Sequence, residues 1–271
     1  MTEEKYFENI RSFKFLAKKE IGQNFLGDPE AAKRIVSLLE AKEGEKVLEI
    51  GSGAGSLSYF LSLGPAKADL IDIDEAMLQK LKEDFDGNPF LNIQFGNAMR
   101  YDYSSYDKIV GNLPYYITSG IIENVLLGAK KATRYVFMVQ KEAATRLLAK
   151  PGSEDYSPLT IYLNYVAKGK KAFNVRRECF VPAPHVESTV LVFDVDLSKQ
   201  NEESKAMYSL AKKLFLNRRK TILNNLKNVL GDGQKAEEAL KACGIAPTLR
   251  PENLLAENYL ALSHYLKESV E

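Results

Sequence analysis

The sequence predicts a doubly wound, largely parallel α/β sheet followed by a small all-helical domain. Three observations carry that reading. Strand-like apolar runs alternate with helical ones from residue 46 to 149, a glycine-rich turn follows the first of these strands, and no β pattern remains beyond residue 200. Parallel strands need a long crossover, usually a helix, so this alternation is the pattern of a parallel sheet.

Taken in order, Asp28-Pro29-Glu30 opens the first helix of this pattern. Asp at the N-cap accepts a free backbone N–H, and Pro at the next position lacks the N–H that would go unpaired there. Ala32, Ile35, Val36 and Leu39 follow at helical spacing. Lys46-Val-Leu-Glu-Ile50 is the first strand, then a Gly-rich turn and a helix over 57–63. Strands over 68–73, 92–95, 108–111 and 135–139 alternate with helices over 75–85, 121–131 and 140–149, with Asp74 as a helix cap. Pro151-Gly152-Ser153 breaks the chain, and Ser157-Pro158 starts a shorter helix on Leu159, Tyr162, Leu163 and Val166. Two β-rich segments near 172–175 and 189–195 read as antiparallel edge strands. Composition turns polar at Leu197-Ser-Lys-Gln-Asn-Glu-Glu203, and Met207, Leu210, Leu214, Ile222, Leu223 and Leu226 then keep helical spacing. The expected division is one domain over 1–196 and a helical domain over 197–271.

A chain of 271 residues, 45% of them hydrophobic, suits one large α/β domain with an appendage. No apolar run approaches the roughly 20 residues of a membrane span, and the start, Met1-Thr-Glu-Glu-Lys-Tyr6, has no signal-peptide apolar stretch. The only cysteines, Cys179 and Cys243, form no CxxC. A cytoplasmic protein with no membrane partner and no metal site is expected. The net charge of +1 conceals an uneven distribution. Between residues 205 and 230 lie Lys205, Lys212, Lys213, Arg218, Arg219, Lys220 and Lys227 without one acid, and 156–177 hold Lys168, Lys170, Lys171, Arg176 and Arg177, again without an acid. Solvated helix faces usually interleave opposite charges, so these runs point to a polyanionic partner.

Two turns carry chemistry. Glu49-Ile-Gly51-Ser-Gly53-Ala-Gly55 follows the first strand, and its glycines let the backbone turn sharply and approach a ligand. The spacing departs from a dinucleotide fingerprint, because position 56 is Ser, and resembles the E-x-G-x-G-x-G of S-adenosylmethionine-dependent methyltransferases. Asp72 ends the next strand, where a carboxylate can take ribose hydroxyls, and Asn97 follows the third strand, placed to meet an adenine edge. The second turn, Asn112-Leu113-Pro114-Tyr115, sits at the carboxyl end of the 108–111 strand. Pro114 removes an N–H and keeps Leu113 out of the α region, so the carbonyls of Asn112 and Leu113 escape helix and ladder bonds. Two acceptors beside the Tyr115 ring suit an exocyclic amine on a nucleobase.

In this order the motifs resemble the KsgA-type ribosomal RNA adenine dimethyltransferase family over nearly the whole chain. They run from Gly22-Gln23-Asn24-Phe25-Leu26 through the two turns, Gly96-Asn97-Ala98, Gln140-Lys-Glu-Ala and Phe180-Val-Pro182-Ala-Pro184 to Leu214-Phe-Leu-Asn-Arg218-Arg219-Lys220-Thr221. The resemblance implies a Rossmann-like methyltransferase sheet with a helical RNA-binding domain. It implies S-adenosylmethionine as cofactor, on Asn24, Leu26, Gly51, Gly53, Asp72, Asn97 and Asn112. It further implies dimethylation of two adjacent adenines in a small-subunit rRNA hairpin of an assembling ribosomal subunit, by a monomer. Catalysis falls to Asn112, Leu113, Pro114 and Tyr115, with Phe180 covering the other face of the base, and RNA binding to Lys212, Lys213, Arg218, Arg219, Lys220 and Lys227. Asp72 stands where the family typically has Glu, Asn97 where it has Asp, and Ser52 where Pro is common. The shorter and uncharged side chains predict that Asp72→Glu and Asn97→Asp tighten the cofactor. An antibiotic-resistance methyltransferase acting on large-subunit rRNA, a DNA adenine methyltransferase, and a ribosome-assembly or transcription factor that binds RNA without turnover remain open alternatives.

Overall fold

In a computed structural model the chain is described over residues 1–13 and 23–268, so Gly22 of the N-terminal motif lies outside the described residues. The chain divides into two units, 1–144 with 169–195 and 145–168 with 196–271.

The first unit begins with helix α1 (Glu3–Ser12), which the sequence reading did not anticipate. Its signals were local: Thr2 accepts from the Lys5 N–H as N-cap, Glu3 and Glu4 occupy the first turn, Arg11 the last, and Tyr6, Phe7 and Ile10 are buried. Strand β1 (Phe25–Leu26) and helix α2 (Pro29–Ser37) follow, α2 capped by the Asp28 carboxylate as the Asp-Pro pair predicts. Then come β2 (Lys46–Ile50), α3 (Ser56–Leu61), β3 (Lys67–Asp72), α4 (Glu75–Asp84), β4 (Leu91–Phe95) and β5 (Lys108–Asn112). After a short 3-10 turn over Tyr115–Ile117 come α5 (Thr118–Gly128), β6 (Arg134–Gln140) and α6 (Lys141–Leu147). The later strands are β7 (Ala167–Val175), β8 (Phe180–Val181) and β9 (Ser188–Val195).

Seven of these strands form one sheet in the order β4-β3-β2-β5-β6-β9-β7. β2 pairs in parallel with β3 and β5, β3 with β4, and β5 with β6, whereas β9 runs antiparallel to β6. β9 is therefore internal, and of the two expected edge strands only β7 forms an edge. Residues 190–193 of β9 are apolar and fully buried, as a strand flanked on both sides requires. β1 and β8 make a separate two-stranded antiparallel sheet, with Leu26 opposite Phe180. The strand order reverses between β2 and β5, and their approach is close: a Cβ on Gly111 would lie 2.7 Å from the Ile50 carbonyl oxygen. In open α/β sheets, ligands bind outside the carboxyl ends of the strands at such a reversal.

The second unit holds α7 (Pro158–Val166), α8 (Glu202–Leu214), α9 (Ile222–Leu230), α10 (Gly233–Ala242) and α11 (Ala256–Glu268). Residues 145–168, which the expected boundary left in the first domain, group with these helices because α7 packs on α8, where Tyr162 and Tyr208 stack with ring centroids 5.0 Å apart. The corner between α8 and α9 is fixed by Asn225, buried and donating to the carbonyls of Asn217, Lys220 and Thr221. Among the described residues no helix is long and apolar enough to cross a membrane.

Candidate active site

A cleft at the carboxyl ends of β2, β3 and β5 brings together Asn24, Leu26, Gly51, Gly53, Asp72, Asn97, Asn112, Leu113, Pro114 and Tyr115. It encloses about 960 Å³ of empty space, its open mouth included.

The glycine turn forms one wall. Gly51, Gly53 and Gly55 all have positive φ (70°, 48° and 87°), which only glycine adopts without strain. The Gly51 and Ser52 N–H groups donate to the Ile71 carbonyl at 2.9 and 3.1 Å, anchoring the turn to β3. Asp72 then fastens it from the side: one carboxylate oxygen accepts from the Gly53 N–H at 2.8 Å and the other from the Asp74 N–H at 2.9 Å. Burial raises the Asp72 pKa, opposed by those two backbone bonds. Beneath it Glu49, 1% exposed, accepts from the Ser58 hydroxyl at 2.6 Å, and burial pushes its carboxyl up to about 8, with Ser58 lowering it and Asp72 raising it. Sequence reasoning saw Glu49 only as a motif letter. A carboxylate inside the apolar run Lys46-Val-Leu-Glu-Ile50 was the signal that it is buried for a reason.

The opposite wall is the Asn112 turn. β5 continues one residue further than expected, to Asn112, which pairs with Met138, and the Leu113 N–H donates to the Met138 carbonyl at 3.0 Å. The Asn112 amide nitrogen donates to the Asn24 carbonyl at 3.2 Å, which orients the side chain and leaves its Oδ1 without a donor among the described residues. The Leu113 carbonyl likewise accepts no hydrogen bond among the described residues. The Pro114 carbonyl is instead used, accepting from Ile117 N–H and the Thr118 hydroxyl. Tyr115 is half-buried and its hydroxyl is paired with the Ser188 Oγ at 2.9 Å, while burial raises its pKa. Ser188, at the start of β9, had no sequence signal because the contact joins distant strands.

Two expected site residues are placed differently. Asn97 is exposed, and its Oδ1 already accepts from the Met99 N–H at 2.9 Å, so its amide nitrogen is the group left to face a ligand. Phe180 is 3% exposed, packed in the core with Phe25, Leu26, Val175 and Val190, and is not part of the cleft lining. The aromatic at the mouth is Tyr116, 58% exposed, which the sequence reading passed over.

In the helical unit the basic run is only partly open. Arg218 donates to the Ser153 carbonyl at 3.0 Å and to that of Glu154, and faces Glu252. Lys227 pairs with Glu237 at 3.1 Å, Lys205 with Glu202 at 2.6 Å, and the Lys212 ammonium lies 4.7 Å from the Tyr208 ring centroid. Lys213, Arg219 and Lys220 are exposed and make no ion pair among the described residues.

A largely parallel sheet of this order, with a glycine turn at its reversal and an acid ending the neighbouring strand, defines a Rossmann-like class I methyltransferase, whose cofactor is S-adenosylmethionine. The chain belongs to the ribosomal RNA adenine dimethylase family, whose model matches residues 14–268. It is 36% identical over 265 residues to ribosomal RNA small subunit methyltransferase A of Malacoplasma penetrans, 96% of each chain being covered. Among solved structures it is similar to a dimethyladenosine transferase from Plasmodium falciparum (26% identity, TM-score 0.79, 90% of this chain and 97% of that one). It also shares its fold with the 23S rRNA methyltransferase ErmE (23% identity, TM-score 0.67, 90% and 99% covered). The residues present fit the cofactor. The glycine turn leaves backbone open to close approach, and the buried Ser52 hydroxyl in that turn has no hydrogen-bond partner among the described residues.

Proposed function

We propose that this chain dimethylates N6 of two adjacent adenines in a hairpin near the 3′ end of small-subunit rRNA. It does so in the cytoplasm, within an assembling subunit. The observation that carries the reading is the pair of open acceptors at the end of β5, Asn112 Oδ1 and the Leu113 carbonyl, beside the Tyr115 ring.

The N6 lone pair of adenine is delocalised into the ring, so the amine is a weak nucleophile. Two fixed acceptors taking its two hydrogens favour a pyramidal nitrogen with a localised lone pair, which is catalysis by positioning and electrostatics. The Asn24 carbonyl matters here because it holds the Asn112 amide with its oxygen turned outward. Tyr115, pinned through Ser188, presents a fixed face for stacking, worth about 1–3 kcal/mol per base. A base paired or stacked in RNA must first be splayed out to reach it. S-adenosylmethionine, when bound, supplies an electrophilic methyl group. Gly51, Gly53, Asp72, Asn24, Leu26 and Asn97 hold it. No strong general base is required, since the methylated ammonium is itself acidic. Lys213, Arg219 and Lys220, exposed and without an ion pair among the described residues, meet the RNA backbone.

Radiolabelled methyl transfer tests the reading. Label should enter immature small subunits as dimethyladenine, and should not enter naked large-subunit rRNA or duplex DNA. Transfer confined to large-subunit rRNA would reassign the substrate, and binding of small subunits without transfer would leave an assembly factor.

A further inference from the structure

Helix α1 reaches the glycine turn directly. The Tyr6 hydroxyl donates to the carbonyls of Ala54, at 3.3 Å, and Gly55, at 3.4 Å. The contact is close enough to constrain the sequence: a Cβ on Gly55 would sit 2.2 Å from the Tyr6 hydroxyl oxygen. The Gly55 carbonyl also accepts from the Tyr59 N–H at 2.9 Å, so the start of α3 is held from two directions. The Tyr6 ring is 3% exposed and packs against Tyr59 (centroids 4.8 Å apart), Phe7 and Phe85. That burial holds the phenol far above its ordinary range, so it remains a donor. At the other end of α1, Arg11 donates to the Gly27 carbonyl at 3.0 Å. Gly27 lies just after β1, and the Asn24 carbonyl that orients Asn112 lies just before it. The helix thus touches the glycine turn and the β1 segment alike, though none of its residues lines the cleft.

We infer that Tyr6 is a positioning residue for S-adenosylmethionine, its O–H fixing the Ala54 and Gly55 carbonyls and with them the turn that the cofactor rests on. The inference rests on the reading of the cleft as the cofactor site. Tyr6 itself lies outside the cleft lining and acts only through the backbone of the turn, so deleting its hydroxyl loosens the turn without removing any cofactor contact.

Tyr6→Phe deletes only the hydroxyl. A single neutral hydrogen bond of this kind corresponds to about a three- to tenfold effect. Calorimetric titration should therefore show the S-adenosylmethionine Kd raised by about that factor. The kcat at saturating cofactor and the KM for RNA should stay at wild-type values. In cofactor-free Tyr6→Phe, amide hydrogen exchange over residues 53–56 should quicken. Phe7→Leu thins the same aromatic cluster without touching the turn, and should lower the melting temperature while leaving cofactor Kd unchanged. A wild-type Kd in Tyr6→Phe, or an equal loss in Phe7→Leu, overturns the inference. Failure of the wild-type chain itself to bind S-adenosylmethionine would remove the cofactor reading, and this inference with it.

Discussion

The cleft of the first unit and the α8–α9 corner of the second both mix groups already bonded within the fold with groups left open, but they divide them differently. In the cleft the acidic groups are committed. Both Asp72 oxygens hold backbone N–H groups and Glu49 accepts from Ser58, while the open groups are neutral acceptors, Asn112 Oδ1 and the Leu113 carbonyl. At the corner Arg218 is committed, as is Lys227 at the far end of α9, and three cations, Lys213, Arg219 and Lys220, stay open among the described residues. The difference teaches that charge used internally gives shape, whereas the open groups must match the partner. Neutral acceptors suit an amine whose nucleophilicity must rise, and open cations suit a phosphate backbone.

The largest effect expected on this comparison is at Asn112. Asn112→Ala should fold and melt normally yet lose methyl transfer by on the order of 10²-fold, measured in single turnover with saturating cofactor. Turnover near wild type would show that the open acceptor is not used.

Asp72 comes next, and here the geometry reverses the sequence expectation. Its oxygens sit 2.8 and 2.9 Å from the Gly53 and Asp74 nitrogens, so the extra methylene of Asp72→Glu breaks both bonds. S-adenosylmethionine should bind about tenfold more weakly, not more tightly. Asn97→Asp keeps the Met99 bond and turns the ligand-facing amide nitrogen into a carboxylate oxygen, an acceptor for the cofactor's adenine amine, so it should tighten binding slightly; a titration in which Asp72→Glu gains affinity would mean the clasp is dispensable.

At the corner, replacing Arg219 and Lys220 together by Ala should flatten the salt dependence of subunit binding by about two units of log–log slope, since each phosphate contact contributes about one. Arg218→Ala should instead lower the melting temperature of the chain, because it removes the bonds to Ser153 and Glu154, and should change the slope less. Equal slopes for the two variants would erase the distinction between committed and open cations.

A different kind of effect, on stability and not on binding or turnover, concerns Glu49. Its carboxyl, raised from 4.5 to about 8 by burial, stays protonated in the folded chain where the unfolded chain has already ionised. It therefore contributes stability that is fully present below pH 4.5 and is lost as pH rises toward about 8. Glu49→Gln should flatten the decline in melting temperature across that window. An unchanged pH profile would indicate that the carboxyl is not the titrating group.

Much of the sheet and of the candidate site was legible because it is local. Asp28-Pro29 and Asp74 cap helices by bonds to their own neighbours, glycines at 51, 53 and 55 mark a turn by backbone freedom alone, and Pro114 ends β5 whatever surrounds it. These signals act over a few residues, and the chain carries them into any fold. Long-range contacts decided the rest. β9 became an internal strand by pairing with β6, Phe180 was drawn into the core by Leu26, and Arg218 was taken up by carbonyls 64 and 65 residues away. The basic run that looked free of acids is partly neutralised by Glu237 and Glu252, which lie beyond the run in sequence and beside it in space. Tyr6 shows the limit most plainly: the sequence makes it a buried residue of an amphipathic helix, but only the packing of α1 brings its hydroxyl to the carbonyls of a turn 48 residues further on.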